Sequence, residues 1–172
     1  MDKEKEQSRF IIQRFDNYIN GANTKGNFLL AFNTFLCGGI IGNYKNILGL
    51  ICCPCHYCLV NICLVALFAI SIITTILIIK AVYPFLNTGN SSKDNYHSHI
   101  FFNSVAEFKS ESEFYESYTK KTDKEIEEDL AKQAYQLAKG LKSKFFFLEW
   151  AMRFFYAELL LLTILVTILI LY

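Results

Sequence analysis

The chain has 172 residues, of which 53% are apolar and 16% aromatic, with only two prolines. That composition excludes a disordered segment and points to a membrane. Seventeen Lys and Arg against sixteen Asp and Glu leave a formal charge of +1, so no global excess of positive charge marks a nucleic-acid binder. The information lies in the distribution. The 33 residues between Asn46 and Lys80 contain no Asp, Glu, Lys or Arg, and from Ala157 to Tyr172 the only charged side chain is Glu158.

Residues 1–26 open with charges of both signs, which is not the pattern of a cleavable signal peptide, so targeting is expected from an internal span. They read as an amphipathic cytoplasmic helix. Ile11, Phe15, Tyr18, Ile19 and Ala22 form its apolar side, and Asp16, Asn20, Asn23 and Asn27 recur at steps of four, three and four on one polar face. A strip of this kind is either a solvated face or a hydrogen-bonding surface, since Asn offers donor and acceptor together.

Residues 27–46 form a first candidate transmembrane helix. Asn33, Gly38 and Gly39 interrupt it, and hydropathy alone leaves open a buried soluble helix. Residues 47–57 are a Cys-rich connection. Cys52, Cys53, Cys55 and Cys58, with His56 among them, have the spacing of metal ligands but lack a second pair. Inert packing as small hydrophobes is the favoured reading for them, ahead of a disulfide or lipid attachment and of a metal. The clearest span is 58–79, closed by Lys80; the last is 153–172, with Trp150 and Arg153 as interfacial anchors.

Charge arbitrates the first candidate. If it spans, sixteen basic residues lie on one side and only Lys45 on the other, as the positive-inside rule requires; without it, six would face eleven. The expected fold is therefore an all-α integral membrane protein with about three transmembrane helices and a small cytoplasmic helical layer. Its N-terminus is inside and its C-terminus outside.

Residues 80–152 are the expected cytoplasmic sensor segment. Pro84 to His99 reads as a loop, and Phe101, Phe102, Phe108, Phe114, Tyr115 and Tyr118 are candidates for packing. Thr122 and Glu125 fit a capping box. From Ile126 to Phe155 apolar or small residues recur every three or four positions without a proline, so one helix is expected to run into the last span, with Gly140 its weakest point. Glu158 is costly in a membrane unless it faces protein or water, or snorkels to the interface. No Walker loop, nucleophile elbow or zincin motif appears, so no enzyme activity, cofactor or metal is expected.

The stretches Asp16-Asn17-Tyr18-Ile19, Asn23-Thr24-Lys25-Gly26 and Phe28 to Phe35 resemble the opening of the transmembrane effectors of bacterial Pycsar anti-phage systems. The resemblance continues through Ile100-Phe101-Phe102, through Glu128 to Gln133, and through Lys144-Phe145 before the last span. It departs from the family at Asn103 and in the Cys-rich stretch. The resemblance implies an effector in the bacterial cytoplasmic membrane, functionally paired with a nucleotide cyclase. It would respond to a cyclic pyrimidine mononucleotide, cyclic UMP or cyclic CMP, by impairing membrane integrity and aborting infection. A membrane adaptor or scaffold for a protein partner is the alternative. No cyclic-nucleotide-binding barrel is recognisable, so the ligand-binding residues are inferred from chemistry. Asp16, Asn20 and Asn23 would serve base and ribose, Phe102 would stack, Gln133 would line the site, and Lys25 and Lys144 would meet the phosphate. Three spans cannot enclose a pore, so a homo-oligomer in the lipid bilayer is expected, with Gly38, Gly39 and Gly42 as candidate helix contacts.

Overall fold

A computed structural model describes residues 2–51, 54–84 and 97–171. Cys52, Cys53 and most of the expected loop between Pro84 and His99 lie outside these residues, and of Cys55 only the backbone is described. Cys37, Cys58 and Cys63 are free thiols. The described residues form five helices and no strand: α1 (Asp2–Gly49), α2 (Pro54–Val82), α3 (Phe102–Ala106), α4 (Glu111–Thr119) and α5 (Asp123–Leu171). The amphipathic helix expected over 1–26 and the candidate span over 27–46 are thus one helix. Gly21, Gly26, Gly38 and Gly39 do not break it, because a helical glycine costs only about 1 kcal/mol against Ala. The Cys-rich connection is shorter than expected, since helix persists to Gly49 and resumes at Pro54.

Among the described residues, two helices are long and apolar enough to cross a bilayer. One is His56–Val82, with mean hydropathy 3.0 in its best window; the other is Asp123–Leu171, with 2.5. The continuity expected of the last helix holds, as α5 runs unbroken past Gly140 to Leu171. It starts at the expected capping box, where Thr122 Oγ1 accepts from Glu125 N at 3.4 Å and Thr122 N donates to Glu125 Oε2 at 2.7 Å. Those bonds from Thr122 hold the Glu125 carboxyl below its usual range.

The chain divides into two compact units. Met1–Gly21 and Pro84–Ser143 form the first; Ala22–Tyr83 and Lys144–Tyr172 form the second. In the second, α1 and α5 run side by side and α2 runs against them. Ala22 packs with Ala81 and Leu148, then Leu29 with Ile78 and Ala151, and finally Ile40 and Leu48 with Val60, Leu64, Leu67 and Leu165. Gly26 permits the closest approach of α1 to α2, since a Cβ there would lie 2.5 Å from Val82 Cγ2. A Cβ at Gly38, Gly39 or Gly42 would meet nothing beyond the local helix backbone within 4 Å.

The last carbonyls of an α-helix have no partner within the helix. Lys144 supplies one to α2. Its ammonium, buried at 5% exposure, donates to the carbonyls of Ala81, Val82 and Tyr83 at 3.0, 3.1 and 2.9 Å and to Asn23 Oδ1 at 3.0 Å. The charge also suits the negative end of the helix dipole.

In the first unit, Lys5 of α1 pairs with Asp123 at the start of α5. Buried Asp129 of α5 holds the turn before α3: Oδ1 accepts from Ser98 Oγ and Oδ2 from His99 N, both at 2.8 Å. Ser98 Oγ in turn accepts from Ile100 N and Phe101 N, each at 3.2 Å. The His99 ring lies 5.3 Å from that of Phe108 and 6.1 Å from that of Phe114, and Tyr118 joins them 5.9 Å from Phe114, so these expected aromatics pack there. Phe102 and Tyr115 are exposed instead. Ser110 caps α4 by accepting from Glu113 N.

Two expectations follow. Replacing Lys144 by Met should destabilise the second unit by about 2–3 kcal/mol, the cost of several charge-assisted bonds and a dipole contact. Asn23→Ala should cost less, because three carbonyls still hold the ammonium. Thermal denaturation of the detergent-solubilised chain checks this order, and equal losses would contradict it. The second expectation concerns pH. Burial and the nearby Lys121 depress the pKa of His99, against opposing contributions from His97 and Asp129. The unfolded chain therefore binds the proton first, and stability is lost as pH falls through the unfolded value of about 6.5. The Tm should drop between about pH 7.5 and pH 5.5, and less so in His99→Gln; parallel profiles would remove His99 as the cause.

Candidate functional site

A nucleotide site needs a donor for phosphate, polar groups for base and ribose, an aromatic or apolar face, and a concavity of suitable size. The first unit has a cleft with this combination, of about 340 Å³, whose walls come from three helices and the turn at Ile100; a second concavity of about 370 Å³, lined by Phe10, Gln13, Arg14, Asn17 and Tyr18, lies on α1 alone and so has no opposing wall. One face of α1 supplies its polar side, because Arg9, Gln13 and Asp16 recur at helical spacing. Tyr118 of α4, Ile100, and Ile126 and Leu130 of α5 supply the rest. Partial burial raises the pKa of the Asp16 carboxyl. None of the ion pairs among the described residues engages Arg9, which leaves its planar fork free for a phosphate.

The residues expected from sequence to bind ligand do not all gather there. Asp16 lines the cleft. Asn20 is exposed on α1, Phe102 is exposed beside Phe101 at 4.9 Å between ring centroids, and Gln133 is buried in α5. Asn23, Lys25 and Lys144 belong to the second unit. Lys144 departs from the expectation most clearly: with four oxygens around three protons, its ammonium is committed to the end of α2 and to Asn23. Lys25 lies on a different groove, of about 910 Å³, whose walls of Phe28, Leu29, Phe145, Leu148 and Phe155 are too apolar for a mononucleotide. Glu158 does not snorkel. It is 1% exposed and accepts from Ser71 Oγ of α2.

Arg9, Gln13 and Tyr118 line the cleft but are not among the ligand-binding residues expected from sequence, because the Asn strip is the more conspicuous polar pattern on α1. The signal available was the i, i+4, i+7 recurrence of Arg9, Gln13 and Asp16 beside the apolar Ile11 and Phe15. Asp129 carried no comparable signal, since its partners are 30 and 31 residues away. Ser110 was legible, as Ser-x-x-Glu precedes α4 just as Thr-x-x-Glu opens α5.

No curated protein and no solved structure matches the chain. A family does: the model of the Pycsar effector protein domain, PycTM, matches residues 7–171. The chain therefore belongs to the PycTM family of Pycsar antiviral effectors, which work in the membrane alongside a cyclase and its cyclic-nucleotide signal.

Proposed function

We propose that the chain is a non-enzymatic effector that binds a cyclic pyrimidine mononucleotide in the cleft of its first unit and responds by impairing the membrane that holds its second. The observation that carries this reading is the cleft itself, where a guanidinium, an amide and a carboxyl on one helix face meet a phenol ring in a volume suited to one mononucleotide. Arg9 binds the single phosphate. Gln13 reads the base edge as both donor and acceptor, and Asp16 accepts from a ribose hydroxyl. A pyrimidine offers little stacking area to Tyr118, so hydrogen bonds supply most of the discrimination. A group left unpaired by the wrong base costs about 1–3 kcal/mol.

Calorimetry of the purified full chain with cyclic UMP, cyclic CMP, cyclic AMP and cyclic GMP tests the assignment. One pyrimidine nucleotide should bind at least about tenfold more tightly than either purine nucleotide. Arg9→Ala should abolish that binding, whereas Lys25→Ala should leave it unchanged. Binding that survives Arg9→Ala, or that is lost in Lys25→Ala, would move the site elsewhere.

We also assign α1 a span of its own, with the N-terminus cytoplasmic. The support is its outward face in the second unit, where Phe28 and Phe35 are 77% and 76% exposed and Ile41 is 56% exposed, a surface suited to lipid. Topology reporters fused separately to the two ends decide it. Three spans put the N-terminus in the cytoplasm and the C-terminus on the opposite side; two spans put both on one side.

A further inference from the structure

The second unit buries a polar cluster that the nucleotide reading does not use. Asn33 of α1, Ser71 and Thr74 of α2, and Glu158 of α5 are each at most 1% exposed. Asn33 and Glu158 converge on one residue. Asn33 Nδ2 donates to the Ser71 carbonyl and to Thr75 Oγ1, both at 2.9 Å, and Ser71 Oγ donates to Glu158 Oε1. One oxygen of each is left over: Asn33 Oδ1 and Glu158 Oε2 are buried without a hydrogen-bond partner among the described residues.

A buried carboxylate demands a compensating charge, and an unpaired buried amide oxygen demands a donor or a cation. The basic side chains of the flanking turns are engaged elsewhere. Lys144 caps α2, Arg153 pairs with Glu149, and Lys80 lies over the Phe147 ring. The leftover acceptors and their neighbouring hydroxyls are all oxygen, a set that suits a hard cation; the half-buried Cys37 thiol, one helical turn from Asn33 on α1, adds a single soft donor, and no group of three His, Cys, Asp or Glu suited to a transition metal occurs among the described residues. With a single formal charge in the cluster, a monovalent ion reaches neutrality, whereas a divalent ion would leave a buried excess of one.

We propose that the cluster of Asn33, Ser71, Thr75 and Glu158 binds a monovalent alkali cation between the three helices of the second unit. Glu158 supplies the counter-charge, and Asn33 Oδ1 together with the hydroxyls of Ser71 and Thr75 replaces hydration oxygens. An ion held in this way stabilises the packed bundle over any state in which α1 or α5 has moved away.

The test uses the full chain in lipid nanodiscs, with radioactive sodium and rubidium as probes in a scintillation proximity assay. At least one of the two should bind saturably, with displacement by the unlabelled chloride and not by choline chloride. The Tm should rise by about 3–5 °C when choline chloride is exchanged for the bound ion's chloride at equal ionic strength. Glu158→Gln preserves shape and removes the charge, so it should lose both effects. Should that variant fail to fold, Ser71→Ala and the wild-type binding curve carry the test. Absence of saturable binding of both ions to the wild type overturns the proposal, as does undiminished binding in either folded variant. A Tm that responds to pH but not to alkali ions, as expected of a carboxyl neutralised by a proton, also overturns it. No nucleotide enters the assay, so its outcome is independent of the cleft assignment.

Discussion

The second unit depends on the termination of α2. An apolar helix that ends among other helices leaves carbonyls turned toward a low-dielectric environment, where an unmet acceptor is expensive. Lys144 answers three of them at once and adds Asn23, so one ammonium ties α2 to both α1 and α5. The neighbouring contacts follow from that junction. Ala22 and Ala81 are small enough there for the helices to approach around Leu148, and Gly26 lets α1 pass Val82 at a distance no side chain permits. The chain enters or leaves the second unit at Ala22, Tyr83 and Lys144, so the same junction fixes all three ends.

What could be read from the sequence was whatever is encoded along one helix. The apolar run before Lys80, the capping box at Thr122 and the unbroken stripe into the last span rely on spacing alone, and the helices have those features. Side-chain pairings between helices depend on rotation and depth, which spacing does not specify. Lys144 looked like a phosphate ligand because a lysine before a span carries the same signature whether it faces solvent or the end of a neighbouring helix. Asp129 was invisible for the same reason: it works on a turn far away in sequence, and only the folded first unit brings Ser98 and His99 to it.

Asn33 illustrates the point from the opposite direction. In the sequence it counts against a span, since a lone amide in an apolar run must be satisfied. In the fold it is fully buried and donates to α2 at two places, so the residue that weakens the hydropathy signal also fastens α1 to its neighbour. The exposed side of the same segment carries Phe28, Phe32 and Phe35. This polarity is inverted relative to a soluble amphipathic helix, with polar contacts inward and aromatic rings outward, and it is the arrangement expected where the solvent is lipid.

The placement of the cleft changes which helix carries the signal in the proposed mechanism. A stiff, proline-free α5 suggests a rod that transmits motion from the polar half of the chain to the last span. Yet Arg9, Gln13 and Asp16 of the cleft all belong to α1 and the Tyr118 phenol to α4, and α5 contributes only the apolar Ile126 and Leu130. Specific hydrogen bonds distinguish a bound from an empty state more sharply than apolar contact does, because an unpaired polar group costs more than an unfilled patch of wall. In the proposed mechanism a bound ligand would therefore bias α1 first. The same helix continues without interruption to Asn23, Gly26 and Asn33, the residues that meet the Lys144 junction, the close approach to Val82 and the buried polar cluster. In this proposal a change in α1 would act on Asn23 at the Lys144 junction and on Asn33 in the buried cluster, whereas a change in α5 alone would act on Lys144 and Glu158.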